Sequence, residues 1–351
     1  MSVKVLIVDD SLFFQNRLKE MIGSHSDIEV VAVANDGKEA VAKAAELKPD
    51  VITMDYEMPE MDGVTAVREI MANNPIPIIM FSSLTYEGAQ VTLDALSAGA
   101  VDFMAKNFAE FSRDSKKLST TLQDRILAVA MRGDTAVASA APATGFSTSD
   151  SAFKKTLTSH APAQKPAVIV IGASTGGPVA LTEVLSALPA DFSIPIVLVQ
   201  HMPANFTMAF AERLDRECQI KVRHAEHGEN MEPGTAYLAP GGKQLLFNKS
   251  NPLKLDVIDG DASISYKPSV DLTFTSASEA FASRSFGVVL TGMGSDGCEG
   301  ARAIKNRGGI IWSQDEASSV IYGMPMAVAR ANLSDHVLPL HQFASQLSEV
   351  S

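Results

Sequence analysis

Residues Val168 to Pro178 read VIVIGASTGGP. The first four are apolar and β-branched, the pattern of a strand buried on both faces of a parallel sheet. Pro178 suits the first turn of a helix, which Val179, Ala180, Val184 and Leu185 continue at helical spacing. Ser174 therefore falls on the turn from strand to helix. Gly172, Gly176 and Gly177 let the chain turn tightly and leave room beside the hydroxyl, and amides at the helix start can hold a developing oxyanion. Gly172-x-Ser174-x-Gly176 fits the elbow that exposes a serine nucleophile, while a phosphate loop or a plain packing turn has the same glycines. A nucleotide-binding loop would continue with Gly-Lys-Ser/Thr, and this one does not.

Working outward, 351 residues are enough for two domains, each with its own core. The net charge of −12 argues against broad binding to nucleic acid or an anionic membrane surface. Cys218 and Cys298 lie in unlike contexts without C-x-x-C spacing, as free thiols of a reducing compartment do. The opening MSVKVLIVDD reaches two acids before a signal-peptide core could form, and no apolar run approaches the ~20 residues of a membrane span. A soluble, cytoplasmic protein without direct membrane insertion is the expectation.

From Val3 to Ala130, five apolar runs alternate with helical patterns: Val3 to Val8, Glu29 to Ala34, Val51 to Met54, Ile76 to Phe81 and Val101 to Met104. Five βα units predict a doubly wound parallel sheet. Residues 131–166 are rich in Ala, Ser, Thr and Pro without an apolar period, and read as a flexible linker. Strand and helix patterns resume from Ala167 to the end, with strands at Val168, Ile196 and Gly287 and apparent hairpins and turns around Tyr237-Leu-Ala-Pro-Gly-Gly. A second α/β domain over 167–351 fits.

Ligands of open parallel sheets bind at the carboxyl ends of the strands. In the N-terminal half those ends carry Asp9 and Asp10, Asp55, Ser82 and Ser83, and Lys106. Three carboxylates at one edge repel one another unless a hard cation binds, which points to Mg²⁺ on Asp9, Asp10 and Asp55. Asp55, in the centre, can attack a phosphoryl group whose oxygens Lys106 and the Ser82 hydroxyl receive. The plainer reading is a set of loop acids capping helices.

The C-terminal half needs a base for Ser174 and an acid to orient that base. Ile194 to Val199 lead into Gln200-His201-Met-Pro, and Gly287 to Leu290 lead into Thr291-Gly-Met-Gly-Ser-Asp296-Gly. If these strands neighbour Val168–Ile171, Ser174, His201 and Asp296 meet at one sheet edge as nucleophile, base and orienting acid. Their plainer roles are a helix N-cap, a satisfied half-buried histidine and a cap for the helix from Glu299. The order Ser, His, Asp differs from the Ser, Asp, His of α/β-hydrolases, so that fold is not imported. His224 and His227 have i,i+3 spacing but no second ligand pair, and Cys298 has no base placed beside it.

VLIVDDS, MDYEMPEMDG, MFSS and DFMAK make the first ~120 residues resemble a response-regulator receiver domain, a flavodoxin-like (βα)5 fold. The resemblance implies Asp55 as phospho-acceptor with Mg²⁺ at Asp9 and Asp10, Ser82 as the hydroxyl that moves on activation, and Phe103 as its associated aromatic. Asn107 stands where that family usually has proline after the lysine. GASTGGP, QHMP, YLAPGG, YKPSVD and LTGMGSDG make the C-terminal half resemble the catalytic domain of the chemotaxis protein-glutamate methylesterases. This second resemblance implies hydrolysis of glutamate methyl esters and deamidation of glutamines on methyl-accepting chemoreceptors, without a cofactor for that reaction. A chemotaxis histidine kinase would be the phosphodonor. It carries the triad to Ser174, His201 and Asp296 and places Thr175 and Met293 in the oxyanion region. The alternative is a phosphorylation-dependent binding module without catalysis.

Overall fold

The structure, a computed structural model, describes residues 2–108, 111, 116–131, 165–261 and 263–351; the expected linker lies almost wholly outside them. Two parallel sheets organise the chain. The first has the order β2-β1-β3-β4-β5, built from β1 (Val3–Val8), β2 (Ile28–Ala34), β3 (Val51–Asp55), β4 (Ile78–Ser82) and β5 (Asp102–Ala105). Helices α1 (Leu12–Gly23), α2 (Gly37–Leu47), α3 (Gly63–Asn73) and α4 (Tyr86–Ser97) link its strands, and α5 (Lys116–Ala130) follows them. This 2-1-3-4-5 order brings β1 and β3 together at the point where the winding reverses, and their carboxyl ends carry Asp9, Asp10 and Asp55.

The second sheet has seven strands in the order β14-β13-β12-β6-β7-β9-β8, with β13 (Ile310–Gln314) and β14 (His336–Leu338) at one edge. Its centre is β6 (Val168–Ala173), paired in parallel with β7 (Ile196–Gln200) on one side and β12 (Ser285–Val289) on the other. Val168 to Ile171 are fully buried, because apolar clusters cover both faces of the sheet. Three strand ends thus converge where the winding reverses: Ser174 after β6, His201 after β7 and Asp296 on the loop after β12.

The middle of this half departs from expectation. Tyr237 and Leu238 belong to β9 (Thr235–Leu238), a parallel strand between β7 and β8 (Lys221–His224), where hairpins were expected. Tyr237 and Leu238 are fully buried, so the apolar content of YLAPGG outweighs its turn residues. The antiparallel pair follows as β10 (Lys243–Phe247) with β11 (Leu255–Asp259), outside the main sheet.

The two sheets meet through α4 and α7 (Ala204–Glu217), and one apolar cluster runs from one to the other. Phe103 stacks on Phe206 with centroids 4.6 Å apart. Arg213 donates to Asp94 at 2.7 Å and Ser97 at 2.9 Å, while Asn205 donates to the Leu84 carbonyl and Tyr86 to Glu212.

Candidate active site and receiver site

Around Ser174 the backbone is tightly constrained. Gly176, at φ +76°, has the left-handed conformation that lets the chain turn into α6 (Gly177–Ser186). A Cβ on Gly292 would lie 2.8 Å from that of Ser174, so the loop after β12 can approach only with glycine there. Ser174 donates its amide to the Thr291 carbonyl at 3.0 Å, and His201 donates its amide to Ala173 at 3.1 Å. Gln200, buried at the end of β7, donates its side-chain amide to the carbonyls of both Ser174 (2.9 Å) and His201 (3.2 Å). One side chain therefore ties two of the strand ends together.

His201 Nε2 lies 2.8 Å from Asp296. The same carboxylate accepts the Val270 amide at 2.7 Å, the Asp271 amide at 3.0 Å and the Ser269 hydroxyl at 3.0 Å, all at the start of α8 (Val270–Phe281). Burial by itself pushes Asp296 up, but the hydrogen bond and charge of His201 and the α8 amides outweigh it and leave the carboxyl below its ordinary value. An ionised carboxylate is an acceptor only, so Nε2 carries hydrogen, and in the neutral imidazole Nδ1 carries the lone pair. Nδ1 is buried and has no hydrogen-bond partner among the described residues.

Asp296 does not cap the helix that follows it, as one sequence reading allowed. Asp271 does so, accepting the amides of Gly297 (2.9 Å) and Gly300 (2.7 Å) at the start of α9 (Cys298–Asn306). Each acid holds the other's helix. Burial pushes Asp271 up to about 6, with Asp296 adding to the rise and the two amides opposing it. Ser174 is not an N-cap either, since that position before α6 is Gly176.

Ser174, Thr175, Gln200 and His201 line one cavity of about 140 Å³, whose opposite wall includes Asp102, Phe103 and Arg125 from the first sheet's half. Thr175 donates its hydroxyl to Asp102 at 3.1 Å, and Arg125 pairs with the same carboxylate at 2.9 Å. Met293 and Val320 pack against the apolar cluster that contains Ile7, Phe81, Leu122 and Ile321.

At the other site, ligand oxygens of Asp9, Asp10 and Asp55 lie within 4.8 Å of one another. Lys106 Nζ stands 2.8 Å from both Asp9 and Asp55 and 4.1 Å over the Phe14 ring. Burial is the largest cause that pushes Asp55 up to about 6, with Asp9 adding to it and Lys106 opposing. Asp9 is raised for the same first reason. Three hard oxygen donors with excess negative charge suit a divalent cation. Ser82 gives its hydroxyl to the Gly88 carbonyl at 2.9 Å, and Phe103 stacks on Phe206. The Lys106–Asn107 bond is trans, since the cis bond among the described residues is Lys267–Pro268.

Several residues carry the site without having been singled out from sequence. Gln200, Ser269 and Asp271 lie within QHMP and YKPSVD, but their value depends on which strand ends and helix starts adjoin. His224, bonded to Thr207 at 3.1 Å, and exposed His227 form no metal cluster among the described residues. Burial raises the Cys298 thiol, opposite to what a nucleophile needs.

Residues 169–347 match the family CheB methylesterase and residues 5–113 the response regulator receiver domain. The protein-glutamate methylesterase/protein-glutamine glutaminase 1 of Saccharophagus degradans is 49% identical over 99% of this chain and 99% of its own. The protein of the same name from Vibrio cholerae is 50% identical over 99% of this chain and 98% of its own. The crystal structure of the Thermotoga maritima CheB methylesterase catalytic domain, 38% identical, aligns with a TM-score of 0.51 over 53% of this chain and 99% of that domain. The chain belongs to the CheB methylesterase family and carries a response-regulator receiver domain ahead of the esterase part.

Proposed function

We propose that this protein is a serine hydrolase that removes methyl from glutamate methyl esters of chemoreceptors and deamidates receptor glutamines, under control of phosphorylation at Asp55. Its parts are a receiver over 1–130, a tether over 131–166 and a catalytic domain over 167–351. The observation that carries the reading is the His201–Asp296 pair, whose histidine lines the same cavity as Ser174 and keeps Nδ1 without another hydrogen-bond partner among the described residues.

In this reading Ser174 Oγ attacks the ester carbonyl and His201 Nδ1 takes its proton. Amides near Thr175 and Met293 receive the oxyanion. Collapse of the intermediate breaks the bond to methoxide, which leaves as methanol with the proton from His201. Water then attacks the acyl-enzyme, giving its proton to His201 and restoring Ser174, with glutamate as product. For glutamine the leaving group is ammonia, protonated by the same imidazole. Asp296 stays ionised and stabilises the imidazolium.

Asp9, Asp10 and Asp55 would hold Mg²⁺, whose charge offsets that of the carboxylates and of an incoming phosphoryl group. Asp55 is then the phosphoryl acceptor from a chemotaxis histidine kinase, and Lys106 neutralises the acyl phosphate. Because Asp102, Phe103 and Arg125 wall the Ser174 cavity, the unphosphorylated receiver restricts substrate entry. No described helix is long and apolar enough to cross a membrane, in keeping with a cytoplasmic enzyme that meets its receptors from that side.

Methanol release from methylated receptor, measured for wild type and Ser174→Ala, tests the proposal. Loss of release in the variant supports it. Near-wild-type turnover by a folded Ser174→Ala protein overturns it, and a folded wild type that releases no methanol favours the binding module.

A further inference from the structure

The segment between β11 and α8 reaches the base as well as the acid. Ser269, Val270 and Asp271 hold Asp296, while Tyr266, three residues earlier, lays its ring against His201 with centroids 4.2 Å apart and planes 6° from parallel. Gln244, buried on β10, clamps this segment at two points. Its side-chain amide donates to the Tyr266 carbonyl at 2.8 Å and its oxygen accepts the Ser269 amide at 2.8 Å. A Cβ on Gly294 would lie 3.1 Å from the Tyr266 hydroxyl, so the ring spans from the imidazole to the turn that carries Met293.

An imidazole held by one hydrogen bond at Nε2 can still rock about its Cβ–Cγ bond, which moves Nδ1. A flat face against the ring removes that freedom. The same face is electron-rich and favours a cation beside it. Titratable groups around the imidazole are Asp296 with Asp271 behind it, Tyr266 itself, and Asp102 and Arg125 across the cavity. Among these, Tyr266 is the group stacked on the ring.

We propose that Tyr266 is a positioning residue for the esterase reaction: its ring fixes the plane of His201 so that Nδ1 meets the Ser174 proton, and its π face stabilises the imidazolium that forms. This rests on the triad reading above. The ring is the working part, and the hydroxyl is dispensable.

The test compares Tyr266→Leu, Tyr266→Phe and Tyr266→Trp in the full chain with phosphodonor present, on methylated receptor. Thermal unfolding and phosphoryl uptake at Asp55 verify that each variant is folded. Tyr266→Leu is expected to lose about tenfold in kcat with KM unchanged, and the acid limb of its kcat/KM profile should move about half a pH unit lower. Tyr266→Phe and Tyr266→Trp, which keep the face, should retain kcat within about twofold and leave the limb in place. The proposal is overturned if Tyr266→Leu raises KM alone, if its acid limb does not move, or if Tyr266→Phe falls as far as Tyr266→Leu. Retained turnover in Ser174→Ala would instead overturn the triad reading, whatever the Tyr266 variants do.

Discussion

Asp55 and Asp296 each end up 6% exposed at the carboxyl edge of a parallel sheet, yet their acidities move in opposite directions. Burial pushes both up. What separates them is the supply of donors. Asp296 receives a ring N–H, two helix-start amides and a hydroxyl, whereas Asp55 has a backbone hydrogen bond from Tyr56 and shares the cation Lys106 with Asp9. Directed dipoles satisfy the first carboxylate within the fold, and crowding leaves the second in want of positive charge. On the proposed reading the esterase site is therefore preorganised, and the receiver site is one that a cation would complete and phosphorylation would change.

The largest effects should appear where preorganisation is complete. Ser174→Ala or His201→Ala should each lower methanol release by about 10³-fold or more, and the double variant should be little worse than either single one, because the groups act as a unit. Multiplicative losses in the double variant would break that picture. Asp296→Asn should cost less, on the order of 10²-fold, since its amide cannot accept from all four donors and sets an N–H against the His201 N–H. A loss of twofold or less would mean that the stacked Tyr266 ring orients the imidazole without Asp296.

At the receiver edge the same comparison predicts dependence on an added ion. Asp55→Asn should abolish phosphoryl uptake from a small phosphodonor, and chelating Mg²⁺ should abolish it in wild type. Undiminished labelling of an acyl phosphate without metal would remove the contrast between the two sites. Cross-domain contacts connect them, so weakening these contacts should raise activity without phosphodonor. Arg213→Ala removes two hydrogen bonds to α4 and should raise basal turnover about two- to fivefold. A fragment beginning near Gln164 should show the larger rise; a fragment no faster than the unphosphorylated full chain would refute occlusion.

Which groups gather at each edge was legible because strand ends can be read from apolar runs. Val168–Ile171, Ile194–Val199 and Gly287–Leu290 each lead into a polar or glycine-rich loop, and parallel pairing brings those loops together. The receiver strands lie within two residues of their expected bounds for the same reason. What could not be read was how each acid is satisfied. That Asp296 sits on α8 and Asp271 on α9 depends on two helix starts that adjoin only once the sheet has formed, and local spacing favoured the helix next in sequence. Gln200, Gln244 and Tyr266 escaped notice because a buried amide or a stacked ring has no spacing signature. The parallel strand at Thr235–Leu238 was hidden by the turn residues immediately after it.

The smallest predicted effect isolates the exchange of caps. Asp271, pushed up to about 6 from an ordinary 3.8, binds its proton more tightly folded than unfolded. Its contribution to stability is therefore fully present below the unfolded value and is lost as pH rises through the folded value of about 6. Asp296 is shifted the other way, and its contribution disappears only as pH falls through a folded value lower than 3.8, outside that window. Asp271→Asn keeps an oxygen for the Gly297 and Gly300 amides but does not titrate. Relative to wild type, its melting temperature should rise between about pH 4 and about pH 7, by roughly 2 to 5 °C, and the difference should level off above that. Parallel melting curves across this range would mean that the proton does not reside on Asp271, and the division of charge between the two acids would have to be redrawn.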